Sequence, residues 1–220
     1  SVDRDRIVDQ VLFGQGKVAG APISSAIPWA HGAGSLAAYP LDPEKANALL
    51  DGIGLRRGDG GMRFRIDMVH FPAFNKYAEL MKQDLAKVGI DLLSRPLDRE
   101  ATVETIFKKR DFDTNLISYC NGVDPEIGIR RMYVSDNIGP IPFSNASAYR
   151  NDAIDKLFVA AGTATGEAER GKLYKEAQAI LAAELPYWWL VETVITTVHK
   201  DGLVGFKPWS GQFAEEARRK

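Results

Sequence analysis

Hydrophobic positions along the chain recur with the period of a helix in some stretches and alternate with polar positions in others. The apolar residues between Ile7 and Leu12 are spaced as one face of a helix, so residues 3–12 are predicted to be helical with Asp3 as the N-cap. The same reasoning predicts further helices over residues 42–53, 72–88, 99–109, 124–132, 151–161 and 167–184. Alternating or short apolar runs predict strands over residues 62–68, 90–93, 112–119 and 186–199.

Two segments show no such period. Residues 14–41 contain many Gly, Pro, Ala and Ser residues and are predicted to form a long loop, a feature that is usually functional or flexible. Residues 135–149 are rich in Asn, Pro and Ser and are predicted to form a second loop. Asp42, followed by Pro43, marks the start of the helix after the first loop.

The order of the predicted elements indicates the fold class. Helices and strands alternate through the first half of the chain, and a helical pair and a last strand follow. Alternation of this kind is typical of domains in which helices pack on a largely buried sheet. The predicted fold is therefore α/β, a mixed sheet flanked by helices, with residues 112–119 as its central buried strand.

Composition and charge exclude several classes of function. The 220 residues carry a formal net charge of -1, so no overall field attracts nucleic acid, and no nucleic acid partner is predicted. No apolar run is long enough to span a membrane, and the longest, Tyr187–Val198, is interrupted by Glu192. Cys120 is the single cysteine, which excludes an internal disulfide. The chain opens on a charged, helix-like segment without a signal peptide, as we expect of a segment cut from a longer chain.

The chain offers no convincing metal site or catalytic set. His31, His70 and His199 are far apart, with no cysteine or carboxylate at ligand spacing, so no metal and no cofactor is predicted. Cys120 has no histidine at a recognised spacing and is interpreted as an inert thiol. Because no acid, base and nucleophile stand at a defensible spacing, the chain is predicted not to be an enzyme.

The junction between the strand 112–119 and the polar loop after it is the best candidate for a binding site. In open α/β sheets, ligands bind outside the carboxyl ends of the strands. One arginine of the pair Arg130–Arg131 is expected to hold a carboxylate, with Arg131 favoured and a solvated basic face as the alternative. The predicted ligand-binding residues are Tyr119, Asn121, Asp124, Arg131 and Tyr133.

An ordered set of short motifs along nearly the whole chain resembles the extracellular solute-binding proteins of ABC importers, in the dipeptide, oligopeptide and nickel class. No single motif is decisive, and the resemblance rests on their order. The motifs are Asp3-Arg4-Asp5-Arg6-Ile7-Val8 with Gly14-Gln15-Gly16, Tyr39 to Ala46 with Leu49-Leu50 and Gly54, Val88-Gly89-Ile90, Phe112-Asp113, Asp124-Pro125, Tyr149 with Asn151 and Asp155, Arg170 with Tyr174, Gln178, Ile180, Leu181 and Pro186, and Gly202-Leu203-Val204-Gly205.

The resemblance implies one lobe of a periplasmic-binding-protein type II fold. Residues 1–220 would form the second, C-terminal ligand-binding lobe, with residues 200–220 as a return segment and tail. The implied partners are a small polar solute or peptide ligand, the ABC permease subunits, and the missing N-terminal lobe of the parent chain. The implied location is the periplasm, with a signal sequence on the parent chain, and the two lobes would close on the ligand by a hinge.

One departure from the family pattern bears on the ligand. The resemblance implies that peptide binders carry a tryptophan and then an aspartate before the Asp-Pro pair, and these fall here at Ser118 and Asn121. An amide cannot compensate the charge of a desolvated ammonium group, so a free peptide amino terminus is not expected to be required. A small hydrolase or a protein-interaction domain is the alternative function, and substrate turnover would favour the hydrolase.

Overall fold

The computed structural model describes residues 1–36, 39–196, 198, 200–204 and 218–219. Its helices are α1 (Arg4–Gln10), α2 (Pro43–Gly52), α3 (Asn75–Lys87), α4 (Arg99–Val103), α5 (Pro125–Gly128), α6 (Arg130–Tyr133), α7 (Asp152–Thr163) and α8 (Glu167–Glu184). Its strands are β1 (Gly16–Val18), β2 (Phe64–His70), β3 (Ile90–Pro96), β4 (Thr114–Leu116), β5 (Val191–Thr193), β6 (Leu203–Val204) and β7 (Arg218–Arg219). Short 3-10 turns cover Pro72–Phe74 and Ser135–Asn137, and a π-helical segment, Glu104–Lys109, continues α4.

A parallel sheet in the order β3-β2-β4 forms the centre of the α/β fold. Successive residues of β2 point to opposite faces, and both faces are covered by helices. Met68 packs against Ala78 of α3, whereas Val69 packs against Ile106 and Phe107 of the π-helical segment. The predicted α/β class with helices flanking the sheet is therefore confirmed. The antiparallel pairs, β1 with β5 and β6 with β7, lie in separate two-stranded sheets.

The prediction that residues 112–119 form the central buried strand is wrong. The central strand is β2, and β4 covers only Thr114–Leu116 at the edge of the sheet, where it is half-buried. The register explains this short length, because Leu116 lies opposite His70, the last residue of β2. The chain after His70 turns away into the 3-10 turn at Pro72–Phe74, so residues 117–119 have no strand to pair with.

Residues 19–36 of the segment predicted as a long loop pack into the core. Its apolar residues Ala19, Ala21, Ile23, Ile27, Ala30 and Leu36 are buried. The buried side chain of Gln178 on α8 holds it, since Oε1 accepts hydrogen bonds from the amides of Ile23 and Gly32, both at 3.1 Å. The Nε2 group of Gln178 donates to the Ala30 carbonyl at 2.8 Å. A loop without periodicity therefore packs as a layer against α7 and α8.

The last predicted strand is much shorter than expected. Among the described residues of the predicted range 186–199, only Val191–Thr193 is a strand. It pairs antiparallel with Gly16–Val18, which sequence patterns did not predict as a strand. His199 and most of the expected return segment, residues 205–217 and 220, lie outside the described residues. Among the described residues, no helix has the length and apolar character needed to cross a membrane.

Candidate functional site

The segment after β4, residues 117–124, connects the carboxyl edge of the parallel sheet to α5. Tyr119 lies within it and points its hydroxyl inward, where the hydroxyl donates a hydrogen bond to the Ser144 carbonyl at 2.9 Å. Burial, and then the neighbouring Tyr187, raise the pKa of Tyr119 well above its usual value. The phenol is therefore neutral and held by the Ser144 carbonyl, and its ring faces the Arg131 side chain.

Arg131 lies over the Tyr119 ring, with its Cζ atom 5.9 Å from the ring centroid. Its Nε atom is buried and has no hydrogen-bond partner, which is also true of the Nε atom of Arg130. Within the described residues, no carboxylate pairs with Arg131, whereas Arg130 pairs with Glu126 one turn earlier at 3.3 Å. Of the two candidate arginines, Arg131 is thus the one whose charge no carboxylate compensates.

Asn121 is oriented by a loop that is far away in sequence. Its Oδ1 atom accepts a hydrogen bond from the amide of Ser24 at 2.8 Å. Its backbone lies tightly against α5, since a Cβ atom at Gly128 would lie 2.0 Å from the Asn121 carbonyl oxygen. Only glycine permits this approach, and it places Asn121 beside the helix pair that carries Arg131.

Asp124 makes a bidentate ion pair with Arg170 of α8, with N–O distances of 2.8 and 2.7 Å. It also caps α5, where its side chain accepts a hydrogen bond from the Glu126 amide. The Arg170 guanidinium is the main cause that lowers the pKa of the Asp124 carboxyl. Arg170 itself lies 5.1 Å from the centroid of the Trp29 ring. The carboxylate of Asp124 is therefore committed to holding α5 against α8.

Tyr133 is fully buried in the core between α6, α7 and α8. Its hydroxyl accepts a hydrogen bond from Nε1 of Trp189 at 3.0 Å, and its ring stacks on Phe158. The residue is 0% exposed to solvent. The structure therefore places Arg131 on the Tyr119 ring, sets the Asn121 carbonyl against Gly128 three positions before Arg131, and buries Tyr133 in the core.

Glu192 on β5 is a residue of this region that sequence reasoning missed. Its carboxylate accepts hydrogen bonds from the hydroxyls of Ser24 at 2.9 Å and Ser25 at 2.8 Å. Burial alone would raise the pKa of Glu192, but these hydrogen bonds and the charge of Lys17 lower it. The available signal was a single carboxylate within an otherwise apolar run. Through Ser24, Glu192 supports the loop that orients Asn121.

The described residues contain no group of three or more His, Cys, Asp or Glu side chains placed to hold a metal ion. The ring of His70 bonds to Ser94 and to the Phe71 carbonyl, and His31 bonds to the Ile23 carbonyl. Cys120 is exposed, and no histidine of the described residues bonds to it.

Comparison with known proteins gives a consistent set of relatives. Residues 1–139 match the family described as "Bacterial extracellular solute-binding proteins, family 5 Middle". Heme-binding protein A of Haemophilus influenzae is 30% identical over 220 residues, which cover 96% of this chain and 36% of that protein. Glutathione-binding protein GsiB of Salmonella paratyphi A is 25% identical over 94% of this chain and 40% of its own length.

Solved structures share the fold. The ABC transporter-associated periplasmic binding protein DppA of Helicobacter pylori, in complex with the peptide STSA, superposes with a TM-score of 0.75. Its sequence identity is 22%, and the match covers 94% of this chain and 40% of that one. The chain thus spans well under half the length of these relatives. This coverage is consistent with one lobe of a larger binding protein.

Proposed function

Because the chain belongs to family 5 of the bacterial extracellular solute-binding proteins, we propose that it is the second, ligand-gripping lobe of a two-lobed periplasmic binding protein. The whole protein would deliver a small polar solute or peptide to the permease subunits of an ABC importer and would catalyse no reaction. The coverage of 36% to 40% of the relatives' length supports this proposal, because the remainder of such a protein is long enough for another lobe.

The observation that carries the proposal is the surface formed by Tyr119, Asn121 and Arg131 at the carboxyl edge of the parallel sheet. Each of these side chains is held by contacts within the lobe. Arg131 has no carboxylate partner in the described part of the chain, although burying part of an arginine without one is costly. A ligand gripped between two lobes would supply the missing partner.

The five predicted binding residues fall into two roles in this proposal. Tyr119, Asn121 and Arg131 would contact the ligand. Asp124, through Arg170, would hold the start of α5 in place, and Tyr133 would support α6 from the core. The second pair would therefore affect ligand affinity by positioning the first three, and not by touching the ligand.

Native mass spectrometry of the longer protein that contains this chain tests the proposal. We expect a small solute or peptide to co-purify with it and to dissociate on unfolding. Titration of that solute into the 220-residue chain should give an affinity at least 100-fold weaker, because the other half of the contacts is missing. Submicromolar binding to the 220-residue chain, or chemical turnover of the solute, would contradict the proposal.

A further inference from the structure

At this surface, the hydrogen-bond acceptor of Asn121 is occupied, whereas its donors are not. Asn121 carries one acceptor oxygen and two donor hydrogens in its side chain. The Ser24 amide donates to the oxygen, whereas the Nδ2 group bonds to no described residue and is not among the buried unpaired atoms. Because a backbone amide can only donate, the Ser24 contact fixes which end of the Asn121 amide points inward. Asn121 therefore presents donors to a ligand.

Arg131 adds further donors and a positive charge. Its buried Nε atom is unpaired, and its two Nη atoms bond to no described group and are not buried. The Tyr119 ring lies under the Arg131 guanidinium, and the Asn121 carbonyl lies against Gly128, three positions before Arg131. Because Ile129, between α5 and α6, keeps helical backbone angles, positions 128 and 131 share one side of this helix pair, and Asn121 and Arg131 therefore lie along the same strip of surface.

The acceptors around this strip are already occupied. The Asp124 carboxylate is bonded to Arg170, Glu126 is paired with Arg130, and Glu192 accepts from two serine hydroxyls. No carboxylate of the region is left to compensate a cationic group of a ligand.

We propose that this strip binds a carboxylate of the ligand, with Arg131 and the Nδ2 group of Asn121 as paired donors. The inference rests on the proposed function, which it refines by naming the chemical group that the lobe recognises. A carboxylate accepts hydrogen bonds through two coplanar oxygens, which suits a guanidinium beside an amide. An ammonium group at the same place would meet only donors and a like charge.

Two matched probes test the carboxylate assignment in the longer protein that contains this chain. Acetyl-trialanine carries a carboxylate and no ammonium, and trialanine amide carries an ammonium and no carboxylate. Isothermal titration should give acetyl-trialanine an affinity at least 10-fold higher than trialanine amide. Asn121→Asp keeps an oxygen for the Ser24 amide but replaces the two donors by a charged acceptor. It should reduce the affinity for acetyl-trialanine by about 10- to 100-fold, the loss expected for a hydrogen bond to a charged group, and shift the preference towards trialanine amide.

Arg131→Gln tests the arginine of the proposed site, and Arg130→Gln is its matched control. Arg131→Gln should lower the affinity for acetyl-trialanine by about 10- to 100-fold, whereas Arg130→Gln should change it less than 3-fold, because Arg130 is paired with Glu126. Equal binding of the two probes, tighter binding of trialanine amide, no binding of either, or an unchanged preference in Asn121→Asp would each overturn the carboxylate assignment. If a solute still co-purifies with the protein in those cases, the proposed function stands without it.

Discussion

Replacing Asp124 by asparagine tests whether this residue is a structural support or a ligand contact. Both carboxylate oxygens of Asp124 accept hydrogen bonds from the Arg170 guanidinium, and Oδ1 also accepts from the Glu126 amide. Asparagine keeps an oxygen for the Glu126 amide, and with it the helix cap, but removes the negative charge. Asp124→Ala removes both the helix cap and the negative charge. The difference in stability between the two variants therefore measures the cap, and the loss in Asp124→Asn measures the ion pair.

The burial of the pair sets the expected magnitude. The side chains of Arg170 and Asp124 are 19% and 26% exposed. The pair therefore lies between an exposed ion pair, which contributes below about 1 kcal/mol, and a buried one, whose disruption costs about 3–5 kcal/mol. We expect Asp124→Asn to lower the free energy of unfolding by about 2 kcal/mol, and Asp124→Ala by about 1 kcal/mol more. For a chain of this size, 2 kcal/mol corresponds to a fall in Tm of about 4–8 °C.

Urea unfolding followed by tryptophan fluorescence and circular dichroism measures these differences in the 220-residue chain. A double-mutant cycle with Arg170→Gln should give a coupling energy of about 1.5–2 kcal/mol. The pKa of Asp124 is lowered from its ordinary value of 3.8, chiefly by Arg170. A carboxyl with a lowered pKa stabilises the fold above its ordinary pKa, and this contribution is lost as the pH falls through the lowered value. The stability difference between wild type and Asp124→Asn should therefore be full at pH 7 and shrink in acid below pH 3.8.

A matched control comes from Asp59, which is exposed in a turn. Asp59→Asn removes the same charge and should change the free energy of unfolding by less than about 0.5 kcal/mol. A coupling energy near zero between Asp124 and Arg170, or a stability difference that stays constant from pH 7 into strong acid, would refute the reasoning. Asp124 would then be free to serve a ligand, as the sequence first suggested.

Three further substitutions address the packing that positions the site. Gly128→Ala should destabilise the fold by about 2 kcal/mol or more, as measured by urea unfolding, because the added Cβ would lie 2.0 Å from the Asn121 carbonyl oxygen. The control Gly60→Ala should leave stability almost unchanged, because a Cβ there meets no atom within 4 Å. Gln178→Ala should lower the free energy of unfolding by about 3 kcal/mol or more and speed hydrogen exchange of the amides in residues 19–36, because buried backbone groups lose their hydrogen-bond partner. Exchange protection equal to that of the wild type would contradict this role of Gln178. Glu192→Gln should lower the free energy of unfolding by about 1–2 kcal/mol at pH 7. This stability difference should shrink as the pH falls below the ordinary pKa of 4.5, because the pKa of Glu192 is lowered in the fold. A stability difference that grows in acid would contradict the lowered pKa.

Helix starts could be predicted from the sequence because a cap acts within a few residues of itself. Asp3 accepts a hydrogen bond from the Arg6 amide, and Asp42 accepts one from the Lys45 amide, as their positions before the helices predict. Apolar residues then recur at helical spacing until a residue such as Gly89, which has a φ of +81°, ends the helix. These features are local, so a single sequence contains the information that decides them.

The strands could not be predicted as well, because a strand depends on what lies beside it. β4 ends at Leu116 because β2 ends at His70, a residue far earlier in the chain. β1 has no apolar pattern of its own and exists because Gly16–Val18 lies opposite Val191–Thr193. The apolar run after Leu116 looked like a continuing strand, but hydrophobicity alone supplies no hydrogen-bond partner.

In the candidate site, too, contacts between residues close in sequence could be predicted, and contacts between distant residues could not. That Arg130 and not Arg131 is neutralised could have been read from the sequence, since Glu126 stands four positions before Arg130, the spacing of an ion pair on one helix face. That Asp124 is occupied could not, because Arg170 reaches it from α8, 46 positions away. A carboxylate that looked available in the sequence is thus neutralised in the fold.

The chemistry that the site offers is decided by the most distant of these contacts. An asparagine by itself can accept or donate a hydrogen bond, so the sequence at position 121 is compatible with several kinds of ligand group. The Ser24 amide occupies the acceptor of Asn121, and Ser24 is in turn held by Glu192 on β5. Residues from the beginning and the end of the chain therefore turn an ambivalent amide into a donor. The proposed preference for a carboxylate would then depend on the packing of the loop against β5. A change at Glu192 should therefore alter ligand preference, although the Glu192 side chain is bonded to serines and is not a proposed ligand contact.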